Sequence, residues 1–278
     1  MTSTPSISVI TISLNDLNGL KRTVDSVRTQ RYRGNIEHII IDGGSGEAVV
    51  AYLSERAADF AYWQSKPDNG RYDAMNQGIA HASGDLLWFM HSGDRFSDPD
   101  AVASVVEAVS GRGPIHDVWG YGKNNLVGPD GKVLFPRPYG YMPFKMRKFL
   151  TGATVAHQAS FFGSTLVARL GGYDLDFGLV ADQLFIFRAA LLCEPITVDR
   201  VVCDFDTSGP GSTRPLREHY QDLRRLWDLS GCYPWGGRRS SWAYLRLKEH
   251  VIRTDLAAFN AVSSVRTKLT KKSRTEMR

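Results

Sequence analysis

Several features common to other functional classes are scarce or missing in this sequence. Cysteine is rare: Cys193, Cys203 and Cys232 are the full set, with no C-x-x-C spacing. An odd, sparse set in a chain of 278 residues excludes a disulfide framework and offers no zinc site. It predicts reduced thiols in a cytoplasmic protein. No long hydrophobic run is present either. The longest charge-free stretch, Phe149 to Ala168, is interrupted by Gly152, His157, Gln158 and Gly163 and is a poor membrane span. Met1 to Ile12 lacks a basic n-region and has an apolar stretch of only four or five residues, so no signal peptide is expected. There is no G-x-x-x-x-G-K-S/T, no G-x-G-x-x-G after the first apolar run and no G-x-S-x-G. P-loop, dinucleotide-binding and hydrolase-triad readings are therefore unsupported.

An even spread of positive charge is also missing. Lys and Arg number 34 against 29 Asp and Glu, a net +5 that on its face suggests nucleic acid. Residues 238–278 hold seven Arg and four Lys against Glu249, Asp255 and Glu276, a net +8. That leaves 23 basic and 26 acidic residues in 1–237, a net −3. No nucleic-acid partner is expected from this distribution. The basic tail suits an anionic membrane surface, or it is a core-packing helix followed by a solvated end.

What the sequence does have is alternation. Short apolar runs at Ile7 to Leu14, Glu37 to Asp42, Ala61 to Gln64 and Leu86 to Met90 predict strands. Between them, Leu20, Val24 and Val27 keep helical spacing, and Val49 to Ala58 and Asp73 to His81 read as helices. Asp98 and Pro99 open a further helix through Val109. This order predicts an α/β fold with a doubly wound, mostly parallel sheet. In such sheets ligands bind beyond the carboxyl ends of the strands. Asp42 and Asp94 each follow such an end, so two carboxylates are expected to face one crevice.

From Gly111 to Phe149, glycine, proline and aromatics predict loops and edge strands. Phe161 to Leu192 predicts a strand, a turn at Gly171 and Gly172, and a helix from about Asp182 to Leu191. Arg217 to Leu229 reads as a short amphipathic helix. Trp242 to Leu269 reads as another, with Leu245, Ile252, Leu256 and Phe259 on one side and Arg246, His250, Arg253 and Lys268 on another. Thr270 to Arg278 are expected to fray.

The most informative feature is the order of pieces from Asp68 to Asp94. Asp68-Asn-Gly-Arg-Tyr-Asp-Ala-Met-Asn-Gln-Gly78 is followed by His81-Ala-Ser-Gly-Asp85, the Leu86 to Met90 strand and His91-Ser-Gly-Asp94. This order resembles the inverting glycosyltransferases of family 2, which have the GT-A fold. Their segment runs D-x-G-x-x-D-A-x-N-x-G, small-x-G-D, apolar strand, acidic turn. The resemblance extends to Thr11 to Asn15, Ile41 to Ser45, His157 and Gln158, Gly171 to Asp174, and Ala181 with Asp182. It covers about residues 7 to 215 and leaves the rest uncovered.

The resemblance implies a nucleotide-sugar donor, a divalent metal (Mn or Mg), and transfer with inversion to a hydroxyl acceptor, lipid- or glycan-linked. It suits cell-envelope or polysaccharide synthesis by a cytoplasmic or peripheral enzyme. Residues 1–237 would form the GT-A domain, with the donor half at about 1–110 and the acceptor half at about 111–237. Residues 238–278 would be a basic C-terminal helical appendage. Asp94 matches the last acidic residue of the family's metal-binding D-x-D. The leaving diphosphate is an anion, and a cation must neutralise it. Ser92 and Gly93 occupy the other two positions. One carboxylate would then be completed by phosphate oxygens and waters, with His91 as an extra ligand or with a weak metal requirement. Asp94 also reads as a cap of its own turn.

Asp42 matches the carboxylate that accepts from the nucleobase, and an Asx-turn satisfies the same D-G-G. Thr11 and Ser13 would line the base and ribose pocket, and Tyr72 would take a stacking or ribose role. Asp73 and Asn76 share a helical face and would look toward the donor, with helix capping the competing reading of Asp73. Arg71 would contact phosphate. Asp182 is the candidate general base, taking the proton of the acceptor hydroxyl. Ala181 stands where the family often has Glu, and plain N-capping is the alternative for Asp182. His157 and Gln158 would line the acceptor side or brace the metal site; a satisfied, semi-buried histidine is equally compatible with the pattern. Gly211 and Ser212 would belong to a loop closing over the diphosphate.

Two other functions compete. A nucleotidyltransferase would carry a glycine-rich, Lys/Arg-containing loop where Ser13-Leu-Asn-Asp16 stands. A non-catalytic sugar- or lipid-binding relative would fit the incomplete D-x-D and acidic pair.

Overall fold

The computed structural model describes residues 4–209, 215–252 and 254. The chain groups into two compact units, residues 1–149 with 153–213, and residues 150–152 with 214–278. The Gly211–Ser212 loop lies outside the described residues, as do Arg253, Leu256, Phe259, Lys268 and 270–278.

The first unit is built on one sheet. Its strands are β1 (Ile7–Ser13), β2 (Ile36–Asp42), β3 (Tyr62–Ser65), β4 (Leu86–His91), β5 (Arg95–Phe96), β6 (Trp119–Val127), β7 (Ser160–Gly163) and β8 (Ile196–Asp206). Their order across the sheet is β3-β2-β1-β4-β7-β6-β8-β5. The first four are mutually parallel, β7 runs antiparallel to both its neighbours, and β6 and β8 are parallel again. The helices are α1 (Leu17–Arg28), α2 (Glu47–Glu55), α3 (Arg71–His81), α4 (Ala101–Val109), α5 (Met146–Leu150), α6 (Ser164–Leu170) and α7 (Ala181–Leu192).

The β-branched run of β1 is buried along its whole length, as a central parallel strand should be. Helix α1 starts where the Asp16 carboxylate accepts the Gly19 N–H at 2.8 Å, and Leu20, Val24 and Val27 are buried as their spacing predicts. Helix α3 lies directly on β1. A Cβ at Gly78 would sit 2.3 Å from Ile10 Cγ2, so this close approach requires glycine.

The second half of the sheet departs from the sequence reading. Strand β6 is an interior strand of nine residues, where loops and edge strands were expected. Its Gly120 and Gly122 hide it from propensity, yet they are what its neighbours need. A Cβ at Gly120 would meet Ile196 O at 2.1 Å and one at Gly122 would meet Val202 at 2.5 Å. Strand β8 was not foreseen, because Asp199, Arg200, Asp204 and Asp206 break its apolar pattern. A register shift around Lys123 lets Asp199 and Arg200 point to solvent.

In the second unit, α8 (Leu216–Ser230) buries Tyr220, Leu223, Leu226 and Trp227. It ends at Gly231 in the left-handed conformation, φ 67°. The Trp227 indole donates to Leu150 O at 2.9 Å. Residues 238–252 are helical; Leu245 is buried, while Arg246 and His250 are exposed. Arg238 makes a two-pronged pair with Asp228, both contacts at 3.0 Å. By this grouping α8, expected with residues 1–237, belongs with the segment that follows it. No helix among the described residues is long and apolar enough to cross a membrane.

The α3–β1 contact makes a stability prediction. Gly78→Val forces a branched side chain against Ile10 and should cost about 2–3 kcal/mol. Equilibrium urea unfolding measures this, and a loss below the fitting error would mean that α3 can lift off the sheet freely.

Candidate active site

Three strand ends meet at one edge of the sheet. The register pairs Ser13 with Asp42 and Ile12 with His91. The turn after β4 is then fastened to α1: Thr23 Oγ donates to Asp94 O at 2.6 Å, and Gly93 N donates to Thr23 Oγ at 3.1 Å. Ser92 Oγ donates to Asp16 Oδ2 at 2.8 Å. Gly93 has φ 100°, and a Cβ there would meet Asp206 at 3.0 Å.

The two carboxylates expected to face a crevice are instead turned into their own loops. Asp42 is fully buried and accepts from Gly44 N, Ser45 N, Ser45 Oγ and Ser65 Oγ at 2.5–3.1 Å. This is the Asx-turn reading, and it leaves the carboxylate no solvent face for a base. Asp94 is 2% exposed. It accepts from Asp206 N at 2.9 Å and His91 N at 3.2 Å, so it caps its own turn and clamps the end of β8. Burial, partly offset by these bonds, pushes its carboxyl up to about 8. No group of three His, Cys, Asp or Glu able to hold a metal occurs among the described residues. Each Asp94 oxygen accepts one backbone N–H, Oδ1 from Asp206 and Oδ2 from His91, so the ionised carboxylate keeps acceptor capacity for one further contact. Asp94 therefore fits as the one protein ligand of a cation held otherwise by diphosphate, and it does not fit a protein-built cage.

Other expected donor contacts are also spent internally. Thr11 is buried and its Oγ lies 2.8 Å from His38 Nε2. Burial drives His38 down to about 3, so that ring is neutral. Asp73 Oδ2 accepts from Asn69 N at 2.9 Å and Gln77 Nε2 at 3.0 Å, the capping arrangement. Asn76 does not look toward a donor: its amide pairs with both backbone groups of Tyr173, at 2.7 and 2.9 Å. Ser13 is different. Its hydroxyl is buried at the end of β1 without a hydrogen-bond partner among the described residues.

A second cluster surrounds Asp182. Tyr72 Oη donates to Leu179 O at 2.6 Å and lies 3.1 Å from Asp182 Oδ1. Its ring stacks on Tyr173 at 5.6 Å, so Tyr72 braces this loop and offers no open stacking face. Tyr173 Oη lies 2.5 Å from His157 Nε2. Burial holds His157 down at about 4 and His91 well below the usual imidazole range, so both are neutral near pH 7. Their rings are 6.1 Å apart, and His91 Nε2 and His157 Nδ1 are buried without partners among the described residues. The N-cap of α7 is Val180, with no side-chain cap. Asp182 is thus the second helical residue, half-buried, with Gln183 N donating to Oδ1 at 2.9 Å.

Sequence reasoning missed Asp206, which ends β8, approaches Gly93 and pairs with Arg22 at 3.3 Å. Recognising β8 would have been the signal. It also missed Tyr173, although the quoted Gly171 to Asp174 stretch contains it. An open cleft of about 450 Å³ lies between residues 44–51 and Ser65–Pro67. None of the candidate residues lines it.

The profile of glycosyl transferase family 2 matches residues 8–166. The chain belongs to this family. It is 65% identical over 250 residues to an uncharacterized glycosyltransferase of Mycobacterium tuberculosis strain CDC 1551, covering 90% of this chain and 93% of that one. A PGL/p-HBAD biosynthesis glycosyltransferase of Mycobacterium bovis is 26% identical, over 80% of this chain and 84% of the other. The fold is that of GT-A glycosyltransferases. The mannosyltransferase PcManGT of Pyrobaculum calidifontis, solved with GDP-Man and Mn2+, superposes with a TM-score of 0.62 at 20% identity, over 95% of this chain and 76% of that one. TarS 1–349 of S. aureus with UDP-GlcNAc gives 0.59 at 14% identity, over 80% of this chain and 65% of that one. The chain spans 39% of the longer TarS chain. This family 2 chain is a glycosyltransferase by these relationships.

The buried Asp94 makes a pH prediction. The folded chain holds its proton from the ordinary value of 3.8 up to about 8, while the unfolded chain has released it. The folded state binds more protons over that range, so this group's contribution to stability falls as pH rises through it. Asp94→Asn should flatten that part of the thermal-unfolding profile and cost about 1–2 kcal/mol for the lost acceptor. An unchanged profile would mean that Asp94 is ionised throughout.

Proposed function

We propose that this glycosyltransferase moves a hexosyl group from a nucleoside-diphosphate donor to a hydroxyl acceptor with inversion, and that Asp182 is the general base. The observation that carries the reading is how Asp182 is held. It is half-buried at the start of α7, 3.1 Å from Tyr72 Oη and backed by a wall of neutral rings, Tyr72, Tyr173 and His157. Of the three carboxylates, Asp42 and Asp94 are buried, and Asp182 is only half-buried.

In the proposed reaction the acceptor oxygen attacks the anomeric carbon while its proton passes to the Asp182 carboxylate. The bond from that carbon to the diphosphate oxygen breaks, and nucleoside diphosphate leaves. Ser13, with its unpartnered hydroxyl, is the proposed ribose or base contact. Arg71, half-buried at the first position of α3 and close enough for its charge to depress His91, is the proposed diphosphate contact. A divalent Mn or Mg, bound by Asp94 and donor oxygens, would supply further neutralisation of the leaving group. His157 and Gln158 brace this region from the acceptor side.

Donor chemistry is supported by the GDP-Man and UDP-GlcNAc complexes of the two similar structures, and the metal by the Mn2+ of one. The proposed acceptor is lipid- or glycan-linked, a reading supported by the PGL/p-HBAD biosynthesis name of the more distant relative.

The test separates binding from chemistry. Asp182→Asn should lower transfer by about 10²- to 10⁴-fold. The thermal shift given by the nucleotide sugar should be nearly unchanged. Undiminished turnover would remove Asp182 from the chemistry. Release of pyrophosphate in place of nucleoside diphosphate would replace glycosyl transfer with nucleotidyl transfer.

A further inference from the structure

Exposed apolar side chains gather at one place in the first unit. Val133, Leu134, Phe135 and Tyr139, each about half exposed (49–57%), stand within one short stretch after β6. Single exposed leucines are ordinary, but a consecutive run is not. These side chains are not on a free loop. The turn at 128–131 is closed by Gly131 N to Gly128 O at 2.8 Å and Gly128 N to Lys132 O at 3.0 Å. Leu134 N then donates to Leu126 O at 2.8 Å, and Tyr139 exchanges both backbone bonds with Asn124 at 2.6 and 2.9 Å. Arg95 fixes the turn from the sheet, donating to Gly131 O at 3.0 Å while it pairs with Asp204 at 2.8 Å. Pro136 and Pro138 remove two N–H donors from the presented edge, which lowers the cost of taking it out of water.

The surroundings are basic. Residues 128–148 contain Lys132, Arg137, Lys145, Arg147 and Lys148 against Asp130, a net +4. Arg137 sits exposed between the two prolines, next to Phe135. A second copy of this patch would bring like charge against like charge, which disfavours self-association. An anionic lipid surface meets both features. It accepts apolar side chains without needing a matched shape, and its headgroups take the cations, with tyrosine suited to the boundary.

We propose that the 128–140 hairpin is a membrane-docking element of the catalytic unit. It inserts Val133, Leu134 and Phe135 into the interface of an anionic bilayer, with Arg137 at headgroup level. This goes beyond the sugar-transfer reading and does not depend on it. It does not draw on the basic segment 238–278 either.

Flotation of the full chain with phosphatidylcholine vesicles, with and without phosphatidylglycerol, tests it. The protein should float with the anionic vesicles. Leu134→Ser with Phe135→Ser should lower partitioning by about tenfold or more. Arg137→Glu should lower it only when phosphatidylglycerol is present. Circular dichroism and thermal unfolding check that the variants fold, and Phe135→Ala alone gives the same direction should the double variant fail. Three results would overturn the proposal. One is no flotation of the full chain. Another is unchanged flotation of the double variant, which would assign binding to 238–278. The third is a change of oligomeric state in the double variant with flotation unaltered, which would make the patch a protein interface.

Discussion

Strand β1, clamped in parallel register between β2 and β4, is the constraint on which the candidate site depends. Parallel ladders align the carboxyl ends of all three strands, so Ser13, Asp42 and His91 arrive at one edge together. A slip of one residue would turn every β1 side chain to the opposite face, exchanging the buried Thr11 and Ser13 positions for their neighbours. The helices follow from this alignment. Gly78 lets α3 settle on Ile10, and that brings Tyr72 and Asn76 to the Tyr173 and Asp182 loops.

At this edge the acidic side chains serve the backbone before they serve a ligand. Where strands end, N–H groups lose their ladder partners and need other acceptors. Asp42 and Asp94 accept those bonds, and for Asp94 the desolvation is severe enough to favour the protonated form. Asp182 accepts one backbone bond too, from Gln183 N, but Val180 holds the cap position and Tyr72 shares the holding of its carboxylate. The neutral histidines beside it follow from the same burial that raises Asp94.

Much of the first half of the fold was legible. β1, β2, β4, α1 and α3 are written in local periodicity and in caps such as Asp16, which involve residues within a few positions of each other. The second half was not. β6 is a strand because β7 and β8 close on its glycines, and β8 is a strand despite four charges because its register shift sends two of them outward. Asp206 went unseen with it. The expected donor-side face of α3 was a correct helix with the wrong destination, since Asn76 is taken by a backbone segment 97 residues away.

Local sequence specified the short elements, their alternation and the acids that follow the strand ends, because helix and strand periods and turn chemistry act over neighbouring residues. It also determined that the net positive charge is concentrated in residues 238–278, while 1–237 are net acidic. The direction in which each carboxylate points was set by long-range packing. Asp94 faces inward because Asp206 N, 112 residues further along the chain, needs an acceptor there. Asp182 stays half-open because its hydroxyl neighbour, Tyr72, comes from 110 residues earlier. Such pairings depend on where distant backbone groups come to rest, which no local pattern encodes.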